Sequence, residues 1–401
     1  MAKAALAPIF EAIRNAQIIM KALELFAGGG GLAMALSQTG FETSHVVEWD
    51  QWACKTLSNN RELLKCKHEG TIEPTDVRSV RFTDFEGYVD IVTGGPPCQP
   101  FSLGGKHQAY DDRRDMFPQA IRALREARPK AFMFENVKGL TRAAFSHYLE
   151  YIQHQLAYPG IEKKEGEDWT DHRRRLEQHH TAHHETGLEY RVVARVVNAA
   201  DYGVPQRRER LIIVGIRADL NLEWHFPAPT HSMSALAADQ WLGGSYWERH
   251  GVAPRADLRM FPAVRAALAR PTFDGLLPWQ TTRDAIADLQ GSNSSLLANH
   301  EFRGGARSYP GHTGSDLDLP SKTLKAGVHG VPGGENMFVK DDGTVRYFTA
   351  REAARIQTFP DKYVFSGAWG EAMRQIGNAV PVQLAAVVTG QLYKDLTATA
   401  A

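Results

Sequence analysis

A cysteine lies in a turn rich in proline and glycine. Cys98 belongs to the sequence GGPPCQP at residues 94–100, which directly follows an apolar run at residues 89–93. Two prolines restrict the backbone before the cysteine, so its thiol has a defined direction. A structural cysteine normally lies inside an apolar run, and Cys54 and Cys66, which lack metal-ligand spacing, are interpreted as core or incidental residues. The context of Cys98 instead favours a nucleophile.

A run of glycines offers a second place for chemistry. The sequence AGGGGLA at residues 27–33 follows an apolar run, and its glycine spacing matches the fingerprint of dinucleotide-binding loops. Glu48 follows twenty residues after Gly28 and can accept hydrogen bonds from ribose hydroxyls, and Trp49 offers a flat face for adenine. The loop alone fits NAD and S-adenosylmethionine equally well, because both contain adenosine. A tight turn without any ligand is the simpler alternative.

Alternating strand and helix signals position these residues. Six β-rich apolar runs precede residue 218, and helical patterns separate several of them; the runs are residues 21–26, 44–48, 89–93, 131–134, 192–197 and 211–216. This alternation predicts an α/β fold with a doubly wound, mostly parallel sheet. Ligands of such sheets bind beyond the carboxyl ends of the strands, where Cys98 and the glycine loop are expected.

The chain changes character in two places. Residues 162–189 form a charged, histidine-rich insert with a cluster of histidines at positions 179, 180, 183 and 184, which we interpret as a surface helix or loop without a metal. Residues 219–346 are rich in Pro, Gly and Trp and lack the strand–helix alternation, which predicts a second, smaller domain. Helical patterns return near residues 349–357 and 381–392. We therefore expect a domain at 1–218, a second at 219–365, and a segment at 366–401 that returns to the first.

Composition limits the class of protein. The 401 residues are 43% hydrophobic and 23% charged, which is typical of a globular chain and excludes disordered and collagen-like classes. No apolar run has the ~18 residues of a membrane helix, and three cysteines do not suit a secreted disulfide scaffold. The sequence predicts a cytoplasmic protein without a membrane segment.

Positive charge is concentrated although the net charge is zero. Residues 100–130 carry seven basic and four acidic side chains, and residues 191–218 carry six and two. Residues 219–345 carry eleven basic and fourteen acidic side chains. From charge alone, the favoured interpretation is that the two basic stretches form solvent-exposed surfaces. The alternative is that they form one groove that binds a polyanion.

Six sequence blocks together resemble the prokaryotic cytosine-C5 DNA methyltransferases of restriction–modification systems. They occur in the order of that family and cover most of the chain outside 162–189 and 219–346. The blocks are LFAGGG at 25–30, PPCQ at 96–99, ENV at 135–137, QRRER at 206–210, REAARIQTFP at 351–360 and IGNAVP at 376–381. The resemblance implies the fold of S-adenosylmethionine-dependent methyltransferases, with residues 219–365 as a target-recognition domain.

The resemblance also implies catalytic roles. Carbon 5 of cytosine becomes nucleophilic once a thiolate, that of Cys98, has added to carbon 6. Glu135 ends a strand at the same sheet edge and is expected to hold or share a proton for N3 of the base. Arg210 resembles the arginine that contacts the base carbonyl, and Arg208 a companion that supports the nucleophile loop or the phosphate backbone.

Further residues are implied for binding. The donor, S-adenosylmethionine, is expected to contact Phe26, Ala27, Gly28, Gly30, Gly31, Leu32, Glu48, Trp49, Asp76, Val77, Pro97, Met116, Asn378 and Val380. The flipped-out target base and its DNA are expected to contact Gln99, Ser102, Arg113, Asn136 and Val137.

The partners implied are double-stranded DNA and, without direct contact, a restriction endonuclease acting on the same site; the protein is expected to be a monomer. Three other functions remain open at this stage. One is methylation of tRNA, which is disfavoured because that branch carries a Cys-Phe-Thr motif in its middle region and this chain has no cysteine after Cys98. Another is a catalytically silent DNA-binding relative, which the intact set of Cys98, Glu135 and Arg210 disfavours. An NAD dehydrogenase would explain the glycine loop alone.

Overall fold

The computed structural model describes residues 18–97, 115–182, 187–269, 275–289, 297–326 and 336–398. By their contacts the described residues form two compact units. Unit 1 comprises the described residues within Met1–Val197, Glu209–Phe226 and Val388–Ala401, and unit 2 those within Asn198–Arg208 and Pro227–Val387. The last boundary between the two units along the chain falls near residue 388, whereas the sequence predicts that residues 366–401 form one segment. The functional domain boundaries stay a prediction.

A six-stranded sheet forms the centre of unit 1. Its strands are β1 (Met20–Leu25), β2 (Phe41–Val47), β3 (Ile91–Gly94), β4 (Ala131–Val137), β5 (Tyr190–Asn198) and β6 (Glu209–Arg217). The strand order is β2-β1-β3-β4-β6-β5, and β2, β1, β3 and β4 are mutually parallel. Strand β6 runs antiparallel to β4. Each of the six apolar runs forms a strand, which confirms the predicted α/β class with a mostly parallel sheet.

Helices of unit 1 connect and cover these strands. They are α1 (Gly31–Gln38), α2 (Gln51–Asn59), α3 (Phe117–Ala127), α4 (Ser146–Ala157) and α5 (Trp169–Ala182). Asp50 caps α2, because its carboxylate accepts the amides of Trp52 and Ala53. One face of α3 is apolar, and Phe117, Ile121 and Leu124 pack in a core with sheet residues such as Phe132 and Ile213.

The charged insert contains helix α5, in agreement with the predicted surface helix. Most of the helix is solvated, but His172 and Leu176 are buried, and His172 Nδ1 lies 2.8 Å from the Tyr151 hydroxyl. His180 Nδ1 lies 2.7 Å from the hydroxyl of Tyr158. Within the described ranges, no three His, Cys, Asp or Glu side chains are arranged to hold a metal.

Unit 2 consists of short elements. They are β7 (His231–Ser232), α6 (Met233–Trp241), α7 (Tyr246–His250), α8 (Pro262–Ala269), β8 (Leu277–Pro278), α9 (Thr282–Ile286), β9 (Met337–Val339), β10 (Val345–Tyr347), α10 (Ala350–Ile356) and α11 (Trp369–Asn378). A buried ion pair of Arg283 with Asp318, at 2.6 Å, lies in this unit. Thr349 and Glu352 form a capping box that begins α10, where a helix was predicted.

The last helix, α12 (Val382–Ala398), begins directly after Pro381, as the sequence predicts. Its Thr389 hydroxyl lies 3.0 Å from that of Thr39, and Tyr393 packs edge-on against Phe41, which seats the end of α12 in unit 1. No described helix has the length and apolar character needed to cross a membrane.

Candidate active site

The glycine loop at the end of β1 has a backbone that few residues tolerate. Phe26 has φ 53°, Gly28 has φ 54° and Gly30, the N-cap of α1, has φ 81°. A phenylalanine in the left-handed region is strained by roughly 1–3 kcal/mol, and such strain is concentrated at ligand sites. The loop therefore has the form of a binding loop.

Glu48 is directed at this loop. Its Oε2 accepts the Gly28 amide at 2.6 Å, and its Oε1 accepts the amides of Trp49 and Asp50 at 2.8 and 2.7 Å. Burial raises the pKa of Glu48, and these three amides oppose that rise. Trp49 beside it is 70% exposed, so one large flat face remains available. Glu48 and Trp49, two of the residues predicted to contact the donor, thus lie together beside the glycine loop.

A second segment joins the same edge. The Thr75 amide donates to the main-chain oxygen of Glu48 at 2.7 Å, which brings Asp76 and Val77 next to the end of β2. Asp76 caps a 3₁₀ turn by accepting the Arg78 amide, and Val77 is buried in the core. Ala27 and Leu32 are also buried.

Glu24 is a buried acid near the glycine loop that sequence reasoning did not single out. It lies on β1 opposite Thr93 of β3, is fully buried, and neither carboxyl oxygen makes a hydrogen bond within the described part of the chain. The Thr93 hydroxyl also lacks a described partner. Burial raises the pKa of Glu24 to about 8, the backbone amide of Ala33 opposes this rise, and the charge of Glu48 adds to it. A nearby positive charge would stabilise the ionised form of this buried carboxyl.

This observation tests whether the residues present fit S-adenosylmethionine. The donor combines an adenosine with a positively charged sulfonium and ammonium. Glu48 and the exposed Trp49 suit a ribose and an adenine, and Glu24 suits a positive charge. The described residues therefore fit the donor.

The turn that leads to Cys98 is fixed at both described ends. The Asn136 side-chain amide donates to the Pro96 oxygen at 3.0 Å, and the Met116 amide donates to the Pro97 oxygen at 3.1 Å. A Cβ on Gly94 would lie 2.5 Å from the Leu25 oxygen, so this close approach of β3 to β1 requires glycine. The predicted site residues Cys98, Gln99, Ser102 and Arg113 lie outside the described residues.

Glu135 and Arg210 form an ion pair at this turn. Arg210 Nε lies 2.7 Å from Glu135 Oε1, and both side chains are almost buried. A Cβ on Gly95 would lie 3.5 Å from Glu135 Oε2, so the carboxyl faces the turn that precedes Cys98. The antiparallel register, with Glu135 opposite Ile212, brings the pair together diagonally. Val137, two residues on, is 42% exposed.

Arg208 is buried within unit 2. Only 1% of Arg208 is exposed, and its guanidinium donates to the main-chain oxygens of Leu324, Gly377 and Ala379 at 3.2, 2.7 and 3.0 Å. A DNA phosphate has no access to a side chain buried in this way. A phosphate contact does not fit this burial, and the described bonds of Arg208 hold main chain of unit 2. The other predicted role, support of the nucleophile loop, concerns residues outside the described ones and stays a prediction.

Asn378 and Val380 also belong to unit 2. Asn378 is the last residue of α11 and is exposed, and Val380 is 5% exposed. Their predicted contact with the donor stays a prediction.

Comparison with known proteins identifies the family. The family model for C-5 cytosine-specific DNA methylases matches residues 20–161 and 169–394. The chain belongs to this family. The methylase is 33% identical over 382 residues to the type II methyltransferase M.PspPI of a Psychrobacter species, covering 94% of this chain and 79% of that protein. It is 32% identical to M.Eco47II of Escherichia coli over 91% of this chain and 77% of that protein.

Solved structures agree with the fold. A putative DNA modification methyltransferase from an Escherichia coli prophage aligns over 94% of this chain and 99% of its own, with a TM-score of 0.53 at 22% identity. The Schizosaccharomyces pombe Dnmt2 methyltransferase aligns over the same shares with a TM-score of 0.56 at 18% identity. These identities support the fold of the methylase and nothing finer. The family membership makes this protein a DNA cytosine-5 methyltransferase.

Proposed function

We propose that this methylase transfers a methyl group from S-adenosylmethionine to carbon 5 of a flipped-out cytosine in a specific duplex DNA sequence, through a covalent bond to Cys98. One observation carries the proposal. The carboxyl of Glu135, paired with Arg210 at 2.7 Å, faces the turn that leads into Cys98. A nucleophile with an acid held beside it is what addition to a pyrimidine ring requires.

Each residue has one task in this reaction. The Cys98 thiolate forms a bond to carbon 6 while Glu135 delivers a proton to N3, so carbon 5 becomes electron-rich. Arg210 fixes the Glu135 carboxyl and, by resemblance, contacts the base carbonyl. When bound, S-adenosylmethionine would supply an electrophilic methyl group and leave as S-adenosylhomocysteine. Loss of the carbon 5 proton to a base then expels the thiolate, N3 returns its proton to Glu135, and the aromatic ring is restored.

Asn136 and Met116 position the nucleophile. Their bonds to the oxygens of Pro96 and Pro97 hold the two peptide groups that precede Cys98. A reactive group held in this way loses less entropy on reaching the transition state. Arg208 holds the main chain of unit 2 through the oxygens of Leu324, Gly377 and Ala379.

Donor and DNA binding are assigned to two groups of residues. For the donor we propose the predicted contacts; Glu24, which is fully buried, would act on the positively charged donor through its charge and not by contact. For the DNA we keep Gln99, Ser102, Arg113, Asn136 and Val137, with residues 219–365 reading the sequence. The target base must leave the stack to reach Cys98. The monomeric state, the cytoplasmic location and a restriction endonuclease of the same specificity stay predictions.

Trapping the covalent bond tests the proposal. Bisulfite sequencing of plasmid from expressing cells first identifies the methylated site, and a duplex with 5-fluorocytosine at that site is then incubated with the methylase and S-adenosylmethionine. Fluorine cannot leave carbon 5 as a cation, so the thioether persists and a shifted band should survive denaturing electrophoresis. The band should vanish without donor and in Cys98→Ala. Normal turnover on unmodified DNA without any shifted band would refute covalent catalysis.

A further inference from the structure

A buried tyrosine of helix α4 is bonded to an aspartate that lies just before helix α3. Tyr148 is 3% exposed and packs in the core of unit 1 with residues such as Phe117. Its hydroxyl donates a hydrogen bond to Asp115 Oδ2. A phenylalanine would fill the same space in the core, so the tyrosine adds this one bond to a carboxylate. A bond of this kind is about twice as strong as one between neutral groups.

The other oxygen of the same carboxylate holds the start of α3. Asp115 Oδ1 accepts the amide of Phe117, the first residue of α3, at 3.1 Å. One carboxylate is therefore tied to α4 through Oδ2 and to α3 through Oδ1, which restricts its rotation. The main chain at Met116, between the two bonded residues, is held in place as a result.

Met116 passes this constraint on to the turn before the nucleophile. Its amide donates to the Pro97 oxygen at 3.1 Å, and that oxygen belongs to the peptide group that joins Pro97 to Cys98. The preceding peptide group is held separately, because the Asn136 side chain of β4 donates to the Pro96 oxygen. Two consecutive peptide groups are thus held, one from the sheet and one from the start of α3.

We infer that Tyr148 is a positioning residue for Cys98, because through Asp115 and Met116 it holds the oxygen of Pro97. This inference rests on the proposed function, which makes Cys98 the nucleophile. Without the hydroxyl, the Asp115 carboxylate keeps its bond to the start of α3 but loses its bond to α4. The bond from the Met116 amide to Pro97 then opens more often, and the peptide group that carries Cys98 is held less well.

The first measurement follows the Met116 amide directly. Tyr148→Phe keeps the ring and its packing in the core and removes the bond to Asp115. Hydrogen exchange of the full-length methylase, resolved to single amides by mass spectrometry, should show the Met116 amide exchanging about tenfold faster in Tyr148→Phe than in the wild type. Asp115→Ala removes the same bond from its other end and should accelerate exchange at Met116 as well.

The second measurement follows the reaction of Cys98. The rate of adduct formation is determined with the 5-fluorocytosine duplex at saturating S-adenosylmethionine. Displacing a reactive group by 1 Å can slow a reaction ~100-fold, so Tyr148→Phe should form the adduct about 10–100 times more slowly. Its affinity for S-adenosylhomocysteine should stay within about twofold of the wild type, because the bond touches none of the predicted donor contacts on β1 and β2. General damage to unit 1 would lower both quantities.

A matched control lies one turn further along α4. Tyr151 is 7% exposed, and its hydroxyl lies 2.8 Å from His172 Nδ1. Tyr151→Phe removes the same group from the same helix and should keep exchange at Met116 and adduct formation within about twofold of the wild type. Amides of β1, an inner strand of the sheet, report global unfolding and should respond equally in the two variants.

A double variant tests whether Tyr148 acts through Asp115. Adding Tyr148→Phe to Asp115→Ala should slow adduct formation by less than about twofold beyond Asp115→Ala alone, because the shared bond is already absent. A further tenfold loss would show that Tyr148 acts by another route and would overturn the inference. Unchanged exchange at Met116 in Tyr148→Phe, an unchanged adduct rate, or equal changes in Tyr151→Phe would overturn it too.

Failure of the proposed function gives a different result. If the wild type methylates DNA without forming an adduct, or does not methylate DNA, the proposed function is wrong. Exchange at Met116 needs no catalysis, so it still decides whether Tyr148 holds the turn. If the wild type forms the adduct and Tyr148→Phe behaves like the wild type, only the positioning role is wrong.

Discussion

Replacing the buried acid of β1 should stabilise the protein while weakening its donor site. Glu24 is fully buried, and its pKa rises from 4.5 to about 8. The folded protein then holds a proton that the unfolded chain releases, so stability is complete below pH 4.5 and is lost as the pH rises to about 8. At roughly 1.4 kcal/mol per pH unit, the loss reaches about 5 kcal/mol above pH 8 and about 3 kcal/mol at pH 7.

The side-chain amide in Glu24→Gln does not titrate, so the variant avoids this loss of stability at high pH. Equilibrium unfolding in urea, at pH 5, 7 and 8.5, should show the variant increasingly more stable than the wild type as the pH rises. Glu42→Gln, which alters a partly exposed carboxyl on β2, is the control and should change stability by less than about 0.5 kcal/mol at each pH. A constant difference between Glu24→Gln and wild type across this pH range would refute the reasoning.

Donor binding should respond in the opposite direction. A cation bound near Glu24 requires the carboxylate, so wild-type affinity for S-adenosylmethionine should rise with pH up to about 8. Titration in buffers of different ionisation enthalpy should detect the proton released on binding. In Glu24→Gln the affinity should be lower and nearly independent of pH, and a variant that binds as tightly as wild type would remove Glu24 from the donor site.

Four further outcomes are expected. Cys98→Ala should abolish methyl transfer while duplex binding, measured by gel shift, survives; activity within about tenfold of wild type would exclude the nucleophile role. Glu135→Gln should lower the single-turnover rate by ~10²–10⁴-fold with little change in donor affinity, and an equal loss of donor affinity would make it a pocket residue. Trp49→Ala should cost about 1–3 kcal/mol of donor affinity through lost stacking, while its melting temperature stays unchanged because the ring is 70% exposed. Burial and the stacked His68 lower the pKa of His45 to about 4, so stability should fall as the pH drops from 6.5 towards 4; a His45→Asn variant with the same acid unfolding curve would contradict this.

The strands were predictable because their signal is local. Buried parallel strands need continuous apolar runs, and each of the six runs forms a strand. The glycine loop and Glu48 were predictable for the same reason, since a short stretch of sequence determines their spacing. Asn136 and Pro96 also come from neighbouring strands whose carboxyl ends share an edge.

The contacts and burial of residues that depend on long-range packing could not be predicted from the sequence. The pair of Glu135 with Arg210 requires the antiparallel register of β4 and β6, which no spacing along the chain reveals. Arg208 lies two residues from Arg210 in the same basic run, yet it is buried against carbonyls more than a hundred residues away. Glu24 is an acid inside an apolar strand, and that mismatch was the signal available in the sequence.

The bonds that Arg208 and Gln357 donate have a consequence for how the methylase acquires new specificity. Their acceptors are main-chain oxygens, at Leu324, Ile376, Gly377 and Ala379. A main-chain oxygen is the same whatever side chain the residue carries, so substitutions at exposed Lys325 leave this support intact. On the proposed function, in which residues 219–365 read the DNA, new recognition sequences can therefore evolve by exchanging exposed side chains there, without a compensating change at the turn that carries Asn378.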